Sequence, residues 1–130
     1  MANSRTTLSR YLVPAASLLG ILSFGGGLYG VLRPVAWSQT MGITISTASS
    51  AIPYASFTAA RNIAGGLTVL GLISQKEFRA VGVYMLAGTS TALLDAWICA
   101  QHGGAEGKAS GHAIMGILIG LLGMGILYSH

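Results

Sequence analysis

From Arg79 to Gln101 the chain reads Arg-Ala-Val-Gly-Val-Tyr-Met-Leu-Ala-Gly-Thr-Ser-Thr-Ala-Leu-Leu-Asp-Ala-Trp-Ile-Cys-Ala-Gln. This run is long enough to cross a bilayer, yet it carries a carboxylate, Asp95, near its far end. An Asp at membrane depth costs about 2.5–3.5 kcal/mol on insertion scales, so a fold that buries it must supply a partner. The sequence holds three acidic residues in all. A single other apolar run contains an ion of opposite sign: Arg61, in Thr-Ala-Ala-Arg-Asn-Ile-Ala-Gly-Gly.

Four such runs divide the chain, with helices expected at 11–32, 54–73, 80–100 and 112–128. At about 1.5 Å per residue, a run of about 20 reaches about 30 Å, the thickness of the hydrocarbon core. The expected fold is therefore all-α: a four-transmembrane-helix bundle forming a single integral membrane domain over 1–130. Composition agrees, since charged residues are 8% of the chain against about 25% in soluble domains. Mean hydropathy is +0.67. Nineteen glycines beside abundant Ala, Ser and Thr suit helices whose backbones approach closely in lipid. The net charge of +4 comes from scattered Lys and Arg with no basic stripe, which sets nucleic acid aside as a partner. Cys99 is the lone cysteine and forms no internal disulfide.

The first run is too long for the apolar core of a signal peptide and lacks an Ala-x-Ala site, so a retained helix is expected. Pro14 would lie in its first turn, where a missing N–H is harmless. Residues 33–53, bracketed by Pro34 and Pro53 and holding Trp37, are too polar to span. They read as an interfacial loop with a short helix around Val35–Thr40, placed to lid a cavity. The charged link Ser74-Gln-Lys-Glu-Phe-Arg79 is short enough to make the second and third spans antiparallel neighbours. A Gly-rich loop from Gln101 to Gly111 leads to the last span, with Gly116, Gly120 and Met124 on one track. Arg5, Arg10, Lys76 and Arg79 fall on one side, Arg33 and Lys108 on the other. The positive-inside rule then puts both termini in the cytoplasm of a multi-pass protein, with the endoplasmic reticulum as the expected membrane.

Counting crossings brings Arg61, Asp95 and His112 to about one depth, near the non-cytoplasmic face. Intramembrane ionisable groups mark a site by default. Asp95 is the candidate acid–base group, Arg61 its partner or an oxyanion donor, and His112 a proton relay. Asn62, Thr91 (one turn before Asp95), Trp37 and Trp97 are candidate substrate-binding residues. The competing structural reading is an ion pair that fixes helix register, with the aromatics as interface or core groups. No metal is expected, because His102 and His112 lack paired carboxylates, and no cofactor is expected.

The order Arg33-Pro-Val-Ala-Trp-Ser-Gln-Thr-Met-Gly-Ile, then Ala60-Arg61-Asn62-Ile-Ala-Gly-Gly-Leu, then Leu94-Asp95-Ala-Trp, then Gly111-His112-Ala resembles a domain-of-unknown-function family. Its members are small four-helix membrane proteins common in fungi, some encoded near biosynthetic gene clusters. The resemblance covers the chain from about Leu32 onward. It implies the four-helix fold and a site at Arg61 with Gly66, Asp95 and His112, and it supplies no reaction. A more distant likeness is to four-helix DoxX-type membrane proteins.

Three functions compete. The first is an intramembrane isomerase, cyclase or epoxide-opening enzyme acting on a lipophilic metabolite such as a terpenoid or polyketide. The second is a non-catalytic lipid-binding or scaffold protein with a structural Arg–Asp pair. The third, a proton-coupled exporter, fits less well, because the first span is uncharged and the site lies to one side of the midplane. Membrane lipids, a lipophilic small molecule and a second copy of the chain are the partners this composition allows.

Overall fold

The computed structural model describes residues 2–102 and 108–130, with side chains from Arg10 onward. Residues 103–107 of the Gly-rich loop, and the side chain of Arg5, lie outside the described residues. The described residues form five helices and no strand: α1 (Ala2–Leu32), α2 (Pro34–Met41), α3 (Ile52–Ser74), α4 (Phe78–His102) and α5 (Lys108–Ser129).

Helix ends follow local chemistry. Prolines open α2 and α3 within their first turns, where the missing N–H has no intrahelical role. Gly42 closes α2 at φ 97, and its N–H and that of Ile43 return to Gln39 O and Ser38 O. A Cβ at Gly42 would also sit 2.5 Å from Lys108 Cβ, so backbone angle and close approach both require glycine there. The α3–α4 turn uses the same bonding pattern, with Glu77 N–H on Leu72 O and Lys76 N–H on Ile73 O. There Lys76 adopts the left-handed φ of 61 that glycine usually takes.

The helices run longer than the hydropathy pattern implies. α1 begins at Ala2 instead of residue 11, because 2–10 contains no Gly or Pro to stop a helix. Pro14 consequently lies inside α1, where it removes one backbone donor. The short helix expected at Val35–Thr40 is α2, and α5 starts at Lys108 instead of His112.

Packing departs from the expected order of neighbours. α3 and α4 are antiparallel and joined by a tight turn, but they touch each other little; α1 packs on α3, and α4 on α5. Glycine placement decides this. A Cβ on Gly66 would meet Gly20 O at 2.5 Å and Phe24 N at 2.6 Å, so α3 lies backbone to backbone on α1. Likewise a Cβ on Gly123 would meet Gly82 O at 2.9 Å and Leu86 N at 3.1 Å on α4. The two pairs meet chiefly through α1 and α5. The buried cluster Ala16, Val69, Val81, Met85 and Ile126 draws on all four long helices.

Among the described residues, three helices are long and apolar enough to cross a membrane: Arg10–Leu32, Phe78–His102 and Lys108–Ser129. α3 matches them in length at 23 residues, but Arg61 and Asn62 near its middle dilute its hydropathy. Large apolar side chains such as Leu32, Phe57, Leu118 and Leu121 are exposed on the outside of the bundle, as in proteins whose solvent is lipid.

Candidate functional site: a cavity between two helix pairs

Where α3 and α4 stand apart, a cavity of about 570 Å³ opens, with walls from all five helices. That volume lies within the range of about 300–1,000 Å³ usual for small-molecule sites. Leu19, Val69, Met85 and Ile119 line its apolar part, while Thr40, Arg61, Asp95, Lys108 and His112 line the other. The division follows the topology. Val69 is eight residues beyond Arg61 toward the α3–α4 turn, and Ile119 is eleven beyond Lys108 in the same direction.

Arg61 Nη2 donates to Asp95 Oδ2 at 2.9 Å, so the two opposite charges from separate apolar runs do meet. They face the cavity instead of lying in packed interior: the Arg61 side chain is 47% exposed and that of Asp95 29%. The bond spans the gap between α3 and α4. No hydrogen bond joins Thr91 to Asp95 among the described residues, although Thr91 lines the cavity one turn away.

His112 Nε2 lies 2.9 Å from the carbonyl oxygen of Met41. A carbonyl only accepts, so Nε2 carries the proton, and in the neutral ring Nδ1 remains the acceptor. Cys99 Sγ donates to the same carbonyl at 3.1 Å. α2 is thereby tied to α4 and α5, forming one wall of the cavity. Asn62 contributes a lining position, and its backbone oxygen accepts a hydrogen bond from Ser23 Oγ of α1 at 2.9 Å. Trp37 is buried and lines the cavity, and its Nε1–H has no acceptor among the described residues.

The structure thus gathers Arg61, Asp95, His112, Asn62, Thr91 and Trp37 around one space and leaves out Trp97, which is 60% exposed on α4 and lines none of it. Sequence reasoning missed Lys108 and Tyr84. Both carry a helical signal, Lys108 four residues before His112 and Tyr84 three turns before Asp95. Met41 acts through its carbonyl, which no side-chain pattern reveals. No group of three metal-ligating side chains occurs among the described residues.

Apolar helices enclosing a polar-ended cavity define an all-helical bundle of the membrane type. Residues 20–126 match the family described as a domain of unknown function, DUF4267, and the chain belongs to that family. The match takes in α2, α3, α4 and every ionisable residue of the cavity. No curated protein matches the chain, and no solved structure does.

Proposed function

We propose that this is a four-span integral membrane protein, termini cytoplasmic, that binds a lipophilic metabolite in the interhelical cavity and moves a proton on it. α3 is the fourth span, its Arg61 shielded by Asp95 and by the cavity. Asp95 is the acid–base group, Arg61 holds it in place through Oδ2, and His112 offers Nδ1 as the second proton acceptor. The reaction class is isomerisation, cyclisation or epoxide opening, and the membrane is the endoplasmic reticulum. The observation that carries this reading is the opening of an ion pair and an imidazole onto one largely apolar cavity. Apolar substrates partition into bilayers, and the resemblance to a family with some members encoded near biosynthetic gene clusters favours terpenoids or polyketides.

The test is turnover of a terpenoid epoxide in microsomes containing the protein. Asp95→Asn should lower the rate by about 10²-fold or more at equal expression, the scale of a lost general acid. Unchanged turnover removes Asp95 from the chemistry. A second reading, non-catalytic lipid binding, is favoured by the ion pair's position as a bridge between two helices that otherwise touch little. It expects the charge-neutral pair Arg61→Gln with Asp95→Asn to retain full binding.

A further inference from the structure

The cavity reaches through the seam between α1 and α5. On α1, Gly20 looks toward α3, since a Cβ there would meet Leu70 Cγ at 3.1 Å, and it lines the cavity. Leu22 lines the cavity too. At about 100° per residue, Leu22 sits about 200° round the helix from Gly20. The space therefore wraps α1 from its α3 side, past Leu19, to its far side. α5 supplies the matching edge. Met115, Ile119, Leu122 and Ile126 share one face by their spacing of four, three and four. Ile126 is fully buried and Leu122 packs on the buried cluster, yet Met115 lines the cavity and is 45% exposed. Leu22 is 60% exposed. α1 and α5 are thus closed at one end, where a Cβ on Gly125 would meet Leu12 Cδ1 at 2.9 Å, and parted at the level of the cavity. The α3–α4 seam differs: the Arg61–Asp95 bond crosses it, and the Tyr84 hydroxyl stands 3.0 Å from where a Cβ on Gly65 would lie.

Leu22 is twelve residues from one end of the apolar span Arg10–Leu32 and ten from the other, which sets the gap near the middle of a hydrocarbon layer. We propose that the cavity opens sideways into the bilayer core between Leu22 and Met115, and that its ligand is a linear aliphatic or prenyl chain longer than the cavity, whose far end passes out through this mouth. This rests on the binding reading above and deepens it: the ligand is chosen by the head it brings to Arg61 and Asp95, and its chain length is free. Methylenes beyond the mouth stay in lipid, so lengthening the chain neither gains nor loses apolar contact. A closed cavity rejects chains too long to fit.

Native mass spectrometry of the full chain released from nanodiscs tests this, using decanol, hexadecanol and docosanol at equal mole fraction in the lipid. Docosanol should bind as well as hexadecanol. Leu22→Trp with Met115→Trp narrows the mouth and should lower docosanol relative to decanol by about tenfold or more, the equivalent of about two methylenes left without apolar contact. Leu121→Trp, exposed on α5 and off the cavity lining, should change neither. In the unmodified protein, a diazirine at the far end of docosanol should label Leu22 and Met115. Rejection of docosanol by the unmodified protein, an equal effect of the paired substitutions on every length, or labelling of Tyr84 in place of Leu22 and Met115 overturns the mouth. Gly88→Phe places a ring in open space beside Ile119 and should block every chain. Binding that ignores Gly88→Phe overturns the binding reading itself.

Discussion

Arg61 and Asp95 face each other at 2.9 Å across a gap between helices that do not otherwise pack closely. Removing either charge leaves the other without its counter-ion at the edge of a largely apolar cavity, where solvation is poorer than in bulk water. Arg61→Gln and Asp95→Asn should each destabilise the protein, while the double variant should cost less than the sum. A coupling of about 1–3 kcal/mol is expected, between the limits for exposed and buried pairs. A double-mutant cycle on thermal unfolding in detergent reads it, and additive single effects would show that the two side chains act independently. His112 and Cys99 illustrate a different kind of residue: both fasten Met41 O and so hold the cavity wall as well as lining or flanking it.

Helix pairing is set by glycine. At Gly66 any side chain meets the α1 backbone within 3 Å, whereas Gly25 on the same α1 has nothing within 4 Å. Gly66→Ala should therefore lower stability by about 1–3 kcal/mol, the usual cost of overpacking. Gly25→Ala should leave it unchanged or raise it by up to about 1 kcal/mol, the helix-interior difference between these residues. Thermal unfolding of the two variants side by side checks both, and equal effects would contradict backbone-to-backbone packing of α1 on α3. Such contacts explain what could and could not be read in the chain. Apolar runs gave the four long helices and Pro34 the start of α2, because length and breakers are local properties. The partners of those helices were not legible: the short 74–79 link made α3 and α4 look like packing neighbours, but pairing depends on which glycine faces which backbone. The meeting of Arg61 with Asp95 was legible because two scarce opposite charges lay at matching depths. Lys108 was hidden because the glycines ahead of it read as a loop running on to His112. Trp97 misled because its residue type fits a ligand contact equally well as a lipid-facing anchor.

At the scale of the whole molecule, two tightly zipped helix pairs enclose a space that neither fills. Their shared cluster, Ala16 and Val69 of one pair against Val81, Met85 and Ile126 of the other, joins them, while the ion pair spans the gap between α3 and α4. A largely apolar cavity of about 570 Å³ in a protein with an apolar exterior is a place for a hydrocarbon chain, and the proposed chemistry depends on such a chain reaching it. Photolabelling tests this most directly: a fatty acid bearing a diazirine on its chain is irradiated with the protein in nanodiscs, and labelled residues are mapped by peptide mass spectrometry. The expected result is labelling of Val69, Met115 and Ile119, competed by unlabelled fatty acid and lost in Gly88→Phe. Labelling confined to outward residues such as Leu118 and Leu121, insensitive to competitor and to Gly88→Phe, would contradict it.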